Sequence, residues 1–137
     1  MGHMQIFIHS RPVVALVDSG STVSSISLDY LQSFPGQVDM MIPILKPVST
    51  IGGDKSIIGV VKLKLKIGEK RWLFPFTVID TSMYKILLGI NFMDICTEGV
   101  FIEAKTHKAT FHFGTEEVTD TESEGDSSAT EFEGVEV

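Results

Sequence analysis

The chain has 137 residues, an apolar fraction of 43% and a formal net charge of −7, which bounds it to one domain with a sizeable core. No apolar run approaches the roughly 20 residues of a membrane-spanning helix, no signal-peptide pattern is visible, and no basic stripe interleaves with aromatics, so neither membrane nor nucleic acid is an expected partner. The charge is uneven: residues 115–137 hold nine acids and no Lys, Arg or His, which leaves residues 1–114 at about +2, near neutral.

Met1-Gly2-His3-Met4 looks like a cloning remnant, which would place the natural start upstream. Gln5 to His9 reads as a strand and Ser10-Arg11-Pro12 as its turn. Val13 to Val17 is a second strand, apolar on both faces and therefore expected to be central. Val23 to Ile26 is a short third strand, and Ser27 is placed to cap a brief helix running to Phe34, closed by Pro35-Gly36. An irregular stretch broken by Pro43 and Pro47 follows. The adjacent glycines in Thr50-Ile51-Gly52-Gly53-Asp54-Lys55 then signal a hairpin tip.

Ile57 to Ile67 alternates, with Val61, Leu63, Leu65 and Ile67 on one face and Lys62, Lys64 and Lys66 on the other, the pattern of a half-exposed strand. Gly68-Glu69 turns it into Lys70 to Ile79. Tyr84 to Leu88 is another apolar strand ending at Gly89, followed by a short helix around Asn91 to Cys96 and a hairpin of Val100–Ala104 with Ala109–Phe113. The expected fold is all-β with one or two short helices, closed into a barrel over residues 5–114. From Thr115 onward, low hydrophobicity and uniform charge predict a disordered acidic tail. The lone Cys96 excludes an intramolecular disulfide framework and fits a reducing compartment, hence the cytoplasm.

The most informative residues are Asp18-Ser19-Gly20, at the end of the apolar run Val13–Val17. Burying a carboxylate is costly unless a neighbour shares its charge or proton. Two carboxylates held about 3 Å apart cannot both ionise and share one proton; one can then deprotonate a water while the other polarises an amide carbonyl. The Ser19 hydroxyl is suited to a hydrogen-bonded brace, and Gly20 permits a tight turn. The tripeptide occurs once, so a working pair requires two chains about a twofold axis. Taken alone, without Leu87-Leu88-Gly89, Asp18 reads as a plain turn residue or helix cap.

Ala15-Leu16-Val17-Asp18-Ser19-Gly20-Ser21 resembles the active-site segment of the retroviral-type aspartic proteases, the retropepsins. That family's second signature, two apolar residues and a glycine, is matched by Leu87-Leu88-Gly89 and the helix after it. Ile51-Gly52-Gly53 and the strand from Ile57 fall where its flap hairpin belongs. The helix-like Leu28 to Phe34 and Ile57-Ile58-Gly59 look closer to proteases of Ty3-type retroelements and to the DNA-damage-inducible cellular proteins than to lentiviral enzymes. The resemblance covers residues 5–113 and implies a homodimeric aspartic endopeptidase without cofactor or metal, one that hydrolyses an extended peptide, as in polyprotein processing. It implies that Asp18 is the catalytic aspartate, one per subunit, that Ser19 braces across the subunits, and that Gly20 makes the tight turn. Thr22 would lie near substrate backbone, Ile51, Gly52 and Gly53 would close over the substrate, and Leu87, Leu88 and Gly89 would support the active-site loop. A shared proton implies best activity at mildly acidic pH.

The lentiviral pattern has an acid where Thr22 stands and an arginine just after the glycine, where this chain has Ile90-Asn91, so the ion pair of those dimers is absent. Interface strands are expected either at Phe111 to Phe113 or before Met4. A catalytically silent dimerisation or peptide-binding module of the same fold is the alternative. Other motifs carry less. Asp80-Thr81-Ser82 lacks the glycine of a second catalytic triplet, and Gly52-Gly53-Asp54-Lys55-Ser56 has the wrong order for a phosphate loop. His107 and His112 fall on opposite strand faces, and Cys96 reads as a packing thiol rather than a ligand or nucleophile.

Overall fold

The computed structural model describes residues 1–44, 48–50, 53–55, 57–80, 82–114 and 116–119. Strands β1 (Gly2–Ile8) and β2 (Arg11–Val17) form the first hairpin. Its two-residue turn is His9-Ser10, both left-handed at φ 48° and 69°, as a turn matched to strand twist requires. After a loop over 18–24 come β3 (Ser25–Ser27) and α1 (Leu28–Gln32). The Tyr30 amide donates to Ser27 Oγ, so Ser27 is the cap that the sequence predicts. A single 3-10 turn, Val38–Met40, leads to β4 (Ile42–Pro43).

Strands β5 (Val48–Thr50) and β6 (Gly53–Lys55) pair as an antiparallel hairpin, with Thr50 opposite Gly53. This is where the glycine-rich tip was expected; Ile51 and Gly52 themselves lie outside the described residues. The long hairpin of β7 (Ile57–Ile67) and β8 (Lys70–Ile79) follows, irregular in register near Gly59. Strand β9 (Ile86–Leu88) leads into α2 (Ile90–Cys96), and β10 (Gly99–Ile102), β11 (Ala109–Phe113) and β12 (Glu116–Val118) form a separate antiparallel sheet.

The main sheet runs β1-β2-β9-β3-β8-β7 and closes through pairing of β1 with β7, with β4 added beside β7. The result is a closed, six-stranded mixed β-barrel with an extra strand, the expected all-β architecture. Alternate residues of each strand fill it: Met4, Ile6 and Ile8, Ala15 and Val17, Leu63, Leu65 and Ile67, Phe74 and Phe76 are all fully buried. Phe92 of α2 closes one end, its ring centroid 5.2 Å from both Trp72 and Phe74 and 5.7 Å from Phe111. The contacts with Trp72 and Phe74 are edge-to-face and add to the burial of the rings themselves.

Several local expectations change: the first turn is His9-Ser10, with Arg11 and Pro12 already in β2 rather than in the turn. Strand β1 starts at Gly2 rather than Gln5, and Met4 is fully buried, because the first residues complete the pairing that runs to Val17. Strand β2 is central by pairing, between β1 and β9, yet Val14 is 59% exposed; a single-layer barrel buries only the inward face of each strand. Lys66 points outward with Lys62 and Lys64 but is buried, its Nζ 5.5 Å from the Phe7 ring centroid. Strand β12 lies within the segment read as tail, and Val118 packs into the core beside β11. Phe111 is also core and β11 is flanked by β10 and β12, so its backbone edges are already used.

Candidate active site

Strands β2 and β3 are joined by the 18–24 loop but do not pair with each other. Strand β9 lies between them, parallel to β2 with Val17 opposite Leu88, and antiparallel to β3 with Ser25 opposite Leu87. Asp18 therefore leaves the barrel beside Leu88-Gly89. Its amide donates to the Leu88 carbonyl at 3.0 Å, extending the ladder by one residue before the chain turns.

The turn is held by its own backbone. The Ser21 amide donates to the Asp18 carbonyl at 3.1 Å, and the Gly20 amide donates to Asp18 Oδ1 at 2.9 Å. One carboxylate oxygen is thus fixed by a charge-assisted hydrogen bond. Asp18 itself is half-buried, while Ser19, Gly20 and Thr22 are exposed on the same loop. Within the described residues the Ser19 hydroxyl makes no hydrogen bond.

Gly89 is required by close approach. A Cβ there would stand 2.3 Å from the Val23 carbonyl oxygen and 2.7 Å from that of Ser21, distances no side chain tolerates. The Ile90 amide donates to the Ser21 carbonyl at 2.7 Å, clamping the loop from below. Leu88 is fully buried and Leu87 partly so. Asp18, Ser19, Gly20, Leu87, Leu88 and Gly89 therefore meet at one end of the barrel, with Thr22 on the same loop. Gly53 begins the second arm of the β5–β6 hairpin, which leads directly into β7.

Two residues that the motif reading passed over complete the site. The Gly89 amide donates to Ser24 Oγ at 3.0 Å, and Ser24 Oγ donates to Asn91 Oδ1 at 2.8 Å. Asn91 Oδ1 also accepts from the Phe92 amide at 2.8 Å, and the Thr77 amide donates to the Ser24 carbonyl at 2.9 Å. Ser24 thereby ties the Asp18 loop to β8, β9 and α2 at once. A signal existed: Ser24, Ser25 and Ser27 stand around the apolar Ile26, and all three serines are buried. Buried hydroxyls call for partners.

Among the described residues, no group of three or more His, Cys, Asp or Glu side chains could hold a metal ion. His112 Nδ1 lies 3.5 Å from Glu117 Oε2 across β11 and β12, and His107 is exposed. What the site offers is one half-buried carboxylate per chain, oriented by the hydrogen bonds of its own loop.

No protein-family model matches the chain, and no curated protein matches it. Solved structures do. The retroviral protease-like domain of Ddi1 from Leishmania major superposes with a TM-score of 0.68 at 19% identity, over 92% of this chain and 97% of that one. The EIAV protease complexed with the inhibitor HBY-793 gives a TM-score of 0.55 at 15% identity, over 67% of this chain and 84% of that one. A retropepsin-like aspartic protease from Rickettsia conorii gives 0.54 at 16% identity, over 74% of this chain and 75% of that one. With its barrel order and these likenesses, the chain has the retropepsin-like fold.

Proposed function

We propose that the chain is one subunit of a homodimeric aspartic endopeptidase of retropepsin type. The observation that carries this reading is the placement of Asp18 at the end of β2, fixed by the Leu88 carbonyl and the Gly20 amide with its carboxylate half-exposed. One such carboxylate is a modest base. Two copies about a twofold axis would bring Asp18 of each to a shared proton. The pair would activate a water to attack the scissile carbonyl while protonating its oxygen, with no covalent intermediate.

In this reading Ser19 braces one loop against the other, Gly20 makes the turn and Thr22 meets substrate backbone. Ile51, Gly52 and Gly53 close over an extended peptide held by β-type pairing. Leu87, Leu88 and Gly89 hold the catalytic loop from below. The likeness in fold to proteases, one of them solved with an inhibitor, supports the reaction class. Processing of a retroelement-type polyprotein in the cytoplasm, with a pattern nearest Ty3-type and DNA-damage-inducible proteases, is the biological role we assign.

The test is peptide-library cleavage between about pH 3 and 7, where carboxyl pairs titrate. The chain and its Asp18→Asn variant would be compared, with sedimentation reporting the assembly. Cleavage by a dimer that disappears in Asp18→Asn is the expected result. A stable dimer that cleaves nothing at any pH would overturn the reading in favour of a silent binding module.

A further inference from the structure

On the outside of the barrel, where α1 meets β1 and β2 beside the start of β9, lies a depression of about 420 Å³. That volume is within the range of about 300–1,000 Å³ typical of small-ligand sites. Its lining is Gln5, Pro12, Val13, Val14, Tyr30 and Lys85. The floor is the outward face of the first hairpin. Gln5 stands opposite Val14, and Pro12 precedes Val14 by two residues on the same face. Val14 is well exposed and Pro12 is exposed beside it.

Lys85 and Tyr30 come from two other elements. Ile86 of β9 is paired with Ala15 and both are fully buried, so Lys85 falls beside Val14 on the outer face. Its backbone is fixed by the Ser27 amide, which donates to the Lys85 carbonyl at 3.1 Å. The Lys85 ammonium reaches α1, with Nζ 5.5 Å from the centroid of the Tyr30 ring, a cation–π contact. That ring is itself set edge-on against Phe34 at 5.0 Å.

The charge around the depression has one sign. Lys85 makes no ion pair among the described residues. Arg11, held by the Ser33 hydroxyl at 2.9 Å and the Ser33 carbonyl at 2.7 Å, places a second positive charge near Tyr30. No Asp or Glu lines the depression; Asp29, next to Tyr30 on α1, is exposed.

This combination discriminates between ligand classes. A cation would be repelled by Lys85 and Arg11. A neutral apolar ligand would cover the Lys85 ammonium without giving it a partner. A small polar anion would gain nothing from Val14 and Pro12. A compact apolar group that carries a carboxylate meets both the floor and the charge.

We propose that this depression is a second binding site, for a compact apolar or aromatic group bearing a carboxylate. Val14 and Pro12 lie beneath the apolar part, and Lys85 meets the carboxylate. The same chemistry is offered by the C-terminal end of a peptide that finishes in an apolar residue and by a free arylalkyl acid. None of the lining residues belongs to the Asp18 loop or to its supports, so the site does not rest on the peptidase reading.

The test is a titration of the full chain followed by the chemical shifts of its backbone amides. The probes are 3-phenylpropionate and acetyl-Ala-Ala-Phe, each beside its primary amide, which removes the charge and little else. Saturable shifts are expected at Gln5, Val14, Tyr30 and Lys85, with dissociation constants of about 5 mM or tighter for ligands of this size. The amides should bind about two- to fivefold more weakly, the effect of one exposed ion pair. Lys85→Gln should bring acid and amide to the same affinity. Val14→Ser should weaken both by about threefold through lost apolar contact. Both substituted side chains are exposed, so the variants should keep the fold, which unchanged shifts elsewhere would verify.

Tighter binding of the peptide assigns the natural ligand as a chain end, and tighter binding of 3-phenylpropionate as a free acid; either supports the site. Shifts confined to the 18–24 loop would overturn it, as would the absence of saturable shifts at the four residues up to about 20 mM. Equal affinity of acid and amide for the wild-type chain would overturn it too.

Discussion

Ser24 and Gly89 stand 65 residues apart and share a buried hydrogen bond, the glycine amide donating to the serine hydroxyl at 3.0 Å. Through it the loop carrying Asp18 is fastened to the strand and helix beneath. The hydroxyl in turn donates to Asn91 Oδ1, so one side chain satisfies a buried donor and a part-buried acceptor.

Ser24→Ala should therefore leave the Gly89 amide without its partner in a buried site. The expected cost is about 1–3 kcal/mol, the desolvation penalty of an orphaned group. Urea unfolding would measure it, and the Gly89 amide should exchange faster with solvent. A variant with unchanged midpoint and unchanged exchange would show that the hydroxyl is not the fastening.

Gly89→Ala tests the close approach on the other side. The new methyl would fall 2.3 Å from the Val23 carbonyl oxygen, and backbone cannot rotate aside as a side chain can. A loss of about 1–3 kcal/mol or more is expected from overpacking, together with displacement of the 18–24 loop and loss of any Asp18-dependent cleavage. Thermal unfolding gives the first quantity and activity the second. Wild-type melting would mean that the loop can move away at little cost.

His9 links stability to pH. Burial, then the positive charges of Lys64 and Arg11, lower its pKa below the ordinary 6.5, and its Nε2 accepts a hydrogen bond from the Lys64 amide at 3.3 Å, which requires that nitrogen to be unprotonated. The unfolded chain then binds the proton more readily than the folded one, so stability rises with pH through the interval between the two values. The contribution is complete above about pH 6.5 and is lost as pH falls below it toward the folded-state value. Asn tolerates the left-handed backbone at this position, so His9→Asn should flatten that part of the stability profile without breaking the turn. A histidine NMR titration giving His9 an ordinary or raised pKa would contradict this account.

Tyr30 makes the opposite case. Its hydroxyl is buried with no hydrogen-bond partner among the described residues, and burial raises its pKa, opposed in part by the Arg11 charge. Deleting a buried hydroxyl that has no partner removes a desolvation penalty. Tyr30→Phe should be neutral or more stable by about 1 kcal/mol, with the edge-on packing against Phe34 at 5.0 Å retained. A destabilised variant would indicate a partner for the hydroxyl, such as an ordered water.

Much of the site was legible because its signals are local. Asp18-Ser19-Gly20 follows an apolar run, and a strand that must end in a carboxylate and a glycine advertises a turn. Gly89 after Leu87-Leu88 is readable in the same way. Ser24 and Asn91 were not, because a serine or an asparagine announces nothing until its partner is known, and here the partners lie on other strands.

The sequence by itself determined the elements whose periodicity is set within a few residues: the alternation of β7, the cap of α1 at Ser27, the turn after Val17 and the hairpin around the paired glycines. Tertiary structure decided what lies beside what. It placed β9 between β2 and β3, drew Gly2–Met4 into the barrel, left Val14 exposed on a central strand, buried Lys66 and brought Val118 over Gly68. The reason is physical. A strand's periodicity records which of its faces is apolar, whereas neighbours and register are chosen by packing and backbone pairing between segments far apart in the chain.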